Sequence, residues 1–515
     1  MTASLNENKA TVAEAGEGRV RDVEVLIVGS GFSGLIAGAQ LRRSGRLGFT
    51  IIERADEVGG TWRDNTYPGA ACDVPSHLYS LSFRQDFSWS RSFGHQSEIH
   101  RYQREVARAE GLYDHIEFRT EMTDATWHEE DRRWHVTARR LDDADGAEPV
   151  VFRARELVLG VGALCEPKLP DIPGIAGFEG EMFHSARWDH DADLEGKRIA
   201  VIGTGASAIQ IVPEVAKVAG KLTVFQRTPP YIMPRIDRPY AGFEKALLKR
   251  VPALRRIVRA QDWLLRESQV PGLTTGAEWT MKPLMWAHQA LLRAQVRDPE
   301  LRAKLTPDYR IGCKRMLISN KYYPAMARDN VELVTSGIEE IGPHSIRTRD
   351  GVEHEIDVLI ICTGFHVTDS PTFHLVHGRD GRSLAGTWGE EGMEAYKGTV
   401  VHGFPNMTVM MGPGTGLGHS SMLQILEAQV RYFLRRLDYR DARGLDVADV
   451  TAEAQERYND WMRDRLKPSA WVTGCSSWYI DDKGNAPAVW PSTTTRFILE
   501  HRKFDPKAYD FVAAG

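Results

Sequence analysis

The chain has 515 residues, 42% of them hydrophobic and 26% charged, and its 65 basic and 70 acidic residues leave a net charge of −5. This length exceeds one ordinary core, so two or three globular domains are expected. The small negative charge argues against nucleic-acid binding, which needs a strongly basic face. No apolar run reaches the ~18 residues of a membrane span, and the polar residues 1–20 are predicted to be a disordered leader.

The five cysteines are scattered, and no two of them have a CxxC spacing. This distribution excludes the usual thiol–disulfide motif and the common zinc signatures, so no metal site is expected. A sparse, odd number of cysteines is typical of a reducing compartment, and we predict a cytoplasmic protein. The cysteines are Cys72, Cys165, Cys313, Cys362 and Cys475.

The first glycine-rich motif, GSGFSG at residues 29–34, directly follows an apolar, β-branched run and precedes a helical pattern. Such glycines allow a tight turn and close approach of the backbone to a pyrophosphate at the helix N-terminus. The next predicted strand ends in Glu53, 24 residues after Gly29, where a carboxylate binds ribose hydroxyls. The alternative for Glu53 is an ordinary acid at a strand end. The predicted site consists of Gly29, Gly31, Phe32, Ser33, Gly34, Glu53 and Arg54.

A second motif of the same kind, GTGASA at residues 203–208, also lies between a predicted strand and a predicted helix. Arg227 lies 24 residues after Gly203, the same offset that separates Glu53 from Gly29. An arginine pairs with a 2′-phosphate that a carboxylate would repel, so this site is predicted to prefer NADPH over NADH. Its predicted residues are Gly203, Thr204, Gly205, Ser207, Ala208, Arg227 and Thr228.

Residues 59–73, GGTWRDNTYPGAACD, contain turn signals and neither helical nor strand periodicity. Long structured loops of this kind are usually functional. The motif GGxWxxxxYPGxxxD resembles the loop of class B flavoprotein monooxygenases, and its final Asp is characteristic of the type I Baeyer–Villiger members. Residues 178–189, FEGEMFHSARWD, match the Baeyer–Villiger fingerprint FxGxxxHxxxW(P/D). The resemblance covers nearly the whole chain after the leader.

The resemblance implies that the first dinucleotide is FAD, that the second is NADPH, and that the loop lies beside the flavin ring. A Lys-Arg pair in that family supplies the active-site arginine, so Arg315 and Asp73 are the predicted catalytic residues and Lys314 is predicted to bind NADP. Without the resemblance, the Lys-Arg pair would be solvated surface and Asp73 a turn cap. For Trp478, simple packing is an equal alternative. The other cofactor contacts that the resemblance implies are Gly60, Thr61, Trp62, Tyr67, Asp73, Thr363, Gly364, Gly416 and Trp478.

The resemblance further implies that NADPH reduces the flavin, that O2 then forms a flavin C4a-peroxide, and that this peroxide converts a ketone to an ester or lactone. A permanently charged Arg315 would stabilise the anionic peroxide and the tetrahedral intermediate, and Asp73 would orient it. A related N- or S-oxygenating enzyme is the alternative, but it does not need the Asp73/Arg315 pair. A flavin disulfide reductase would need a cysteine pair, and a non-enzymatic binding protein would leave the loop unexplained.

The predicted fold class is α/β, with two Rossmann-like dinucleotide-binding domains and a helical insertion in the second. The domains follow from the motifs and from proline-rich breaks, and a monomer and a homodimer both remain open. The predicted boundaries are 21–170 and 355–515 for the FAD domain, 171–354 for the NADPH domain, and 240–305 for the insertion.

The insertion has amphipathic helical patterns with many basic residues, and Pro252 should end or kink a helix. We interpret its basic side as the solvated face of a subdomain packed on the NADPH domain. A helix lying on a membrane surface is the weaker alternative. Its large apolar residues Trp263, Trp279, Met285 and Trp286 are predicted core, and a substrate-pocket role for one or two of them is the alternative.

The fingerprint segment, residues 178–189, lies just after the first domain boundary. Its His184 would be a poor stabiliser of an anion, because the charge of a histidine normally varies near neutral pH. We therefore predict that the segment couples movement of the NADPH domain to the FAD domain and does not carry the chemistry.

Overall fold

The computed structural model describes residues 20–85, 88–143, 147–473, 479–481 and 484–514. The first of its two large sheets has eight strands, and the strand Val20–Val28 lies near its middle. This strand ends in fully buried residues, as expected of an apolar run in a parallel sheet covered on both faces. In spatial order the strands are Val376–His377, Thr120–His128, Arg133–Arg140, Val150–Leu159, Val20–Val28, Phe49–Ile52 and Ile116–Glu117, with Met407–Val409 also paired to Val150–Leu159.

Two helices cover one side of the first sheet, Phe32–Arg43 after the first glycine motif and the long helix Met422–Asp441. The long helix carries two buried arginines, Arg436 and Arg440, whose guanidinium groups both donate to the buried carboxylate of Glu156. Because a buried charge must be paired, this cluster fixes the helix against the central strand that contains Glu156.

The second sheet has five strands, and all of its pairings are parallel. The helix Ala208–Val215 follows the second glycine motif. The strand Val358–Ile361 belongs to this sheet, so the chain returns to the first sheet later than the predicted residue 355. An apolar run indicates a buried strand but does not indicate which sheet pairs with it. In spatial order the strands are Val331–Val334, Lys221–Phe225, Arg198–Ile202, Val358–Ile361 and Glu181–His184.

Smaller elements complete the two domains. Short sheets pair Ile338–Ile341, Ser345–Thr348 and Glu353–Glu355, then Leu445–Val450 with Tyr509–Ala513, and Ile232–Met233 with Leu317–Ile318. The other helices outside the insertion are Thr61–Asp64, Gln96–Ala109, Tyr322–Met326, Leu384–Glu391, Ala452–Leu466, Ala470–Thr473 and Thr494–Glu500. Among the described residues, none of the helices has both the length and the apolar character needed to cross a bilayer.

The insertion forms five helices, and we name the first two helix A, Gly242–Arg250, and helix B, Pro252–Glu267. Pro252 begins helix B and so separates it from helix A, as predicted. The other three are Val270–Thr274, Lys282–Gln295 and Pro299–Lys304.

Helix B packs against the first domain, the one built on the eight-stranded sheet. Trp263 contacts the core of the first domain, and Arg259 Nη1 donates to the carbonyls of His77 at 2.7 Å and Ser80 at 2.8 Å. Arg256 is exposed, as expected of a solvated basic face, whereas Arg259 contacts the first domain and not the predicted NADPH domain. A helical period indicates an amphipathic helix but does not reveal which side a distant segment will cover.

The tryptophans Trp279 and Trp286 are exposed, at 72% and 67%, so the prediction that they form core is wrong. Met285 is half-buried against a cluster that contains Leu273 and Met281. Cys72, Cys165 and Cys362 have free thiols.

Candidate active site

In the first glycine loop, some glycines pack too tightly for any side chain, whereas Gly31 borders the open space where a ligand would lie. Gly29 has φ +97°, and a Cβ on Gly34 would lie 1.9 Å from the Gly29 carbonyl oxygen. A Cβ on Gly31, in contrast, would have a single neighbour within 4 Å, the Cα of Gly60 at 3.8 Å. The loop thus leaves its backbone accessible at the N-terminus of the helix Phe32–Arg43, which fits the pyrophosphate of FAD.

Glu53 lies at the end of its strand, directly against this loop. Its buried carboxylate accepts from the Ser30 backbone N at 2.8 Å, from Ser30 Oγ at 2.7 Å and from Arg63 Nη1 at 3.0 Å. Burial opposes ionisation, but the charge of Arg63 and these hydrogen bonds lower the pKa of Glu53. An anionic acid at this place is the group that would bind a ribose. The neighbouring Arg54 pairs with Glu166.

The second glycine loop repeats this design. Gly203 has φ +110°, and a Cβ there would lie 2.5 Å from the Cys362 carbonyl oxygen, whereas Gly205 has only open space around its Cβ position. Thr204 Oγ1 donates to the Thr228 carbonyl at 3.1 Å, which ties the loop to the segment that follows the next strand. Ser207 and the buried Ala208 begin the adjoining helix. These features fit a second dinucleotide.

Arg227 and Lys314 bring two positive charges close together beside the second loop. Burial and the charge of Arg227 lower the pKa of Lys314, whose Nζ lies 5.0 Å from the centre of the Tyr309 ring. Among the described residues, neither cation has an ion-pair partner. Two adjacent cations of this kind fit a phosphate group, which supports the predicted preference for NADPH.

Arg315 and Asp73 form a bidentate ion pair, although 242 residues separate them in the sequence. Arg315 Nε and Nη2 donate to the two Asp73 carboxylate oxygens at 3.0 Å and 2.8 Å. The side chains keep 38% and 25% of their surface exposed, so the pair lines a space open to solvent. Asp73 raises the pKa of Arg315 well above its usual range. Although burial acts in the opposite direction, Arg315 lowers the pKa of Asp73.

The loop that ends in Asp73 is also bonded to the helix of the second nucleotide site. Gln210 Oε1 accepts from the Tyr67 hydroxyl and the Ala71 backbone N, both at 3.2 Å, and Gln210 Nε2 donates to the Ala71 carbonyl at 3.0 Å. Gly69 fits only because it lacks a Cβ, which would lie 2.7 Å from the Gln210 carbonyl oxygen. Gln210 therefore joins the two candidate nucleotide sites, and no sequence signal had marked it.

Helix B adds a second arginine to this site. Arg266 Nη2 donates to the Asp73 backbone carbonyl at 3.2 Å. Burial lowers the pKa of Arg266, and the charge of Asp73 counteracts that effect. The next residue, the buried Glu267, lies 3.1 Å from His419 Nε2 and accepts from the Thr494 backbone N at 2.9 Å. Sequence reasoning missed these residues, because a charged residue on an amphipathic helix normally indicates a solvent-facing side.

The structure gives local contacts for most of the other predicted cofactor residues. Trp62 Nε1 donates to the Tyr79 hydroxyl at 2.9 Å, and Thr61 begins the short helix that Gly60 precedes. Gly364 has φ +92° and open space around its Cβ position, whereas a Cβ on Gly416 would lie 2.5 Å from a backbone oxygen. Phe32 and Ser33 are buried in the first loop, Thr363 Oγ1 donates to the Lys168 carbonyl, and Trp478 lies outside the described residues.

The fingerprint segment forms the edge strand Glu181–His184 of the second sheet. His184 Nδ1 accepts from the Ala186 backbone N at 3.1 Å, and its ring meets Phe365 edge-on with centroids 5.7 Å apart. Burial lowers the pKa of His184 to about 4, so the expectation of a charge that varies near neutrality is wrong. His184 is uncharged there, and its strand is the first that the chain contributes to the second sheet, paired with Val358–Ile361, the last.

A family model described as flavin-binding monooxygenase-like matches residues 22–374. The chain belongs to this family. It is 46% identical to a Baeyer–Villiger monooxygenase of Streptomyces coelicolor, over 95% of this chain and 92% of that protein. It is 42% identical to a Baeyer–Villiger monooxygenase of Pseudomonas aeruginosa, over 98% of this chain and 94% of that protein. The predicted membership of the Baeyer–Villiger group is confirmed.

Solved structures agree with the predicted fold and cofactors. The crystal structure of OTEMO in complex with FAD and NADP has a TM-score of 0.84 and 28% identity, and the alignment covers 95% of this chain and 99% of that one. The closed crystal structure of cyclohexanone monooxygenase has a TM-score of 0.85 and 27% identity, with 96% and 100% covered. The α/β fold class with two dinucleotide-binding domains is confirmed, and so is the prediction of FAD and NADPH.

Proposed function

We propose that this chain is an NADPH- and FAD-dependent Baeyer–Villiger monooxygenase that converts a ketone into an ester or lactone. The observation that carries the proposal is the bidentate Asp73–Arg315 pair at the end of the loop that joins both nucleotide sites. Bound FAD, reduced by NADPH, supplies the oxygen atom from O2.

We assign to Arg315 the stabilisation of the negative charge that develops on the oxygen of the substrate carbonyl. A guanidinium has five N–H donors, and Asp73 occupies the one on Nε and one of the two on Nη2. The free donors stay fixed in direction because the ion pair holds the plane of the group, so little reorganisation is needed when the charge appears. Asp73 acts through Arg315 and lowers the free energy of its charged form.

The cofactor roles of the other predicted residues form part of this proposal. Glu53 would accept from the ribose of FAD, and Arg227 with Lys314 would bind the 2′-phosphate of NADPH. Arg227 reads the phosphate because it is exposed and adjacent to a second cation. We place the FAD domain at residues 21–170 and from residue 362 onward, and the NADPH domain, with its insertion, between them.

The proposal is tested by incubating the purified holoenzyme with NADPH, O2 and a panel of linear, cyclic, aromatic and steroid ketones, alongside sulfides. Mass spectrometry should detect esters or lactones that exceed their ketone by one oxygen atom. Sulfoxides without any ester would identify an S-oxygenating enzyme. Hydrogen peroxide without any oxygenated product would contradict both functions. The cytoplasmic location and the oligomeric state stay predictions.

A further inference from the structure

Helix B turns Arg259, Arg266 and Glu267 toward the protein and several apolar side chains toward solvent. Arg259 and Arg266 donate to carbonyls of the first domain, and Glu267 is buried. On the opposite side Ile257 is 53% exposed, Leu264 63% and Leu265 65%. Ala253, Ile257, Ala260 and Leu264, all exposed, recur every three to four positions and form one stripe along the helix, with Leu265 beside its end.

Helix A, directly before helix B in the chain, also exposes apolar side chains. Phe243 is 74% exposed and Leu247, one turn later, is 46% exposed, while Val251 between the two helices is 38% exposed. We name the six side chains Phe243, Leu247, Val251, Ile257, Leu264 and Leu265 the insertion patch. Exposed apolar residues that occur singly need no explanation, but a group along consecutive helices is characteristic of a docking surface.

The same two helices carry a strong surplus of positive charge. Residues 241–257 contain five basic residues and a single acid, Glu244, which gives a net charge of 5 − 1 = +4 within a chain whose net charge is −5. That acid is already paired with Arg238 at 2.8 Å. The basic residues are Lys245, Lys249, Arg250, Arg255 and Arg256.

We propose that the insertion patch docks on the surface of an anionic lipid bilayer. Apolar side chains flanked by lysines and arginines match the boundary between acyl chains and negatively charged headgroups. A second copy of the chain fits less well, because a two-fold contact would place this positive surface opposite itself. Helix B is about 24 Å long, so a bilayer would contact it along several turns.

The proposal goes beyond the oxygenation reaction and gives the insertion a second role. The inner side of helix B reaches the Asp73 carbonyl through Arg266, so the helix that meets the bilayer also borders the candidate active site. An apolar ketone dissolved in the bilayer would then be close to the enzyme. From the sequence alone, a helix lying on a membrane surface was the weaker interpretation of the insertion. It becomes the preferred one because the structure turns the apolar side of helix B outward.

The proposal is tested by co-sedimentation of the FAD-loaded full chain with phosphatidylcholine vesicles that contain or lack phosphatidylserine. We expect binding to the anionic vesicles, weaker binding to the neutral ones, and release by added salt. The variant Leu264→Ser/Leu265→Ser should lower the partition coefficient by about tenfold or more. The variant Arg250→Gln/Arg256→Gln should lower it by about tenfold, on the anionic vesicles only.

Leu499→Ser is the matched control, because Leu499 is similarly exposed, at 52%, but lies outside the insertion. It should bind vesicles like the unaltered protein, and all variants should keep their FAD because the changed side chains face solvent. Absence of binding to anionic vesicles would overturn the proposal, and so would equal losses in Leu499→Ser and Leu264→Ser/Leu265→Ser. If the protein binds no vesicles and forms a dimer that Leu264→Ser/Leu265→Ser dissociates, the partner of the insertion patch is a second copy of the chain and not a bilayer. None of these outcomes depends on ketone oxygenation.

Discussion

Two properties suit Arg315 to the proposed reaction: its permanent charge and the fixed orientation of its guanidinium. Its guanidinium remains charged at every accessible pH, and the Asp73 carboxylate raises its pKa further. The bidentate geometry, with distances of 3.0 Å and 2.8 Å, also fixes the plane of the group. A lysine could supply the charge but not the fixed plane, because its ammonium is a point charge on a flexible stem.

Arg315→Ala is expected to lower kcat for ketone oxygenation by about 100- to 1000-fold, because the developing negative charge loses its donor. FAD should stay bound, and NADPH should still reduce it. Product formation and flavin absorbance measure the two effects separately. Arg315→Lys should retain part of the activity. Undiminished ester formation by the alanine variant would remove Arg315 from the catalytic site.

Arg227→Gln is expected to raise KM for NADPH by about 10- to 100-fold, because a charge-assisted contact with the 2′-phosphate is lost. NADH lacks this phosphate and is therefore the matched control, with an unchanged KM. Steady-state kinetics with both cofactors measure the difference. An equal rise in both constants would show that Arg227 does not read the phosphate.

Helix B is the element that departs most from its sequence pattern. Its inner side brings Arg266 to within 3.2 Å of the Asp73 carbonyl and buries Glu267 beside His419. These buried contacts between charged groups and the first domain fix the position of the helix, because losing either partner would leave a buried charge uncompensated. Helix B of the insertion thus borders the candidate active site.

Arg266→Gln is expected to lower kcat for ketone oxygenation by about tenfold, with little change in KM for NADPH, because Asp73 loses a charged donor on its backbone. The yield of ester per NADPH consumed should also fall. Arg266→Lys should restore part of both quantities. Arg256→Gln, on the outer side of the same helix, is the control and should match the unaltered enzyme. An equal loss of FAD and activity would indicate a purely structural role.

At the scale of the whole molecule, Gln210 links the two nucleotide sites. Gln210 belongs to the helix of the second site, and it bonds Tyr67 and Ala71 in the loop of the first site. The distance between the two cofactors determines hydride transfer, so this contact has consequences for the first half of the reaction.

Gln210→Ala is expected to slow reduction of the flavin by NADPH about tenfold or more, because misplacing two reactants by a small distance costs rate without preventing binding. Stopped-flow measurement of flavin absorbance at saturating NADPH tests this expectation. Gln289→Ala, which alters an exposed glutamine of the insertion, should have no effect. A rise in KM alone, with an unchanged limiting rate, would contradict the positioning role of Gln210.

The sequence by itself determined the two dinucleotide folds and the chemical class. Both depend on local signals, because a strand, a glycine loop and a helix N-terminus lie within a few residues of one another. Glu53 and Arg227 followed from a fixed offset after each loop. The loop at residues 59–73 and the fingerprint segment carried the family resemblance, which the near full-length relatives confirm.

Only the tertiary structure decided which distant segments meet. It placed Val358–Ile361 in the second sheet, turned Trp279 and Trp286 outward, and brought Arg266 and Gln210 to the loop. A hydrophobic period specifies that one side of an element is buried, but the partner that buries it is chosen by packing across the whole chain. For this reason the sequence could not predict which residues surround Asp73, although it did indicate Asp73 itself as a candidate.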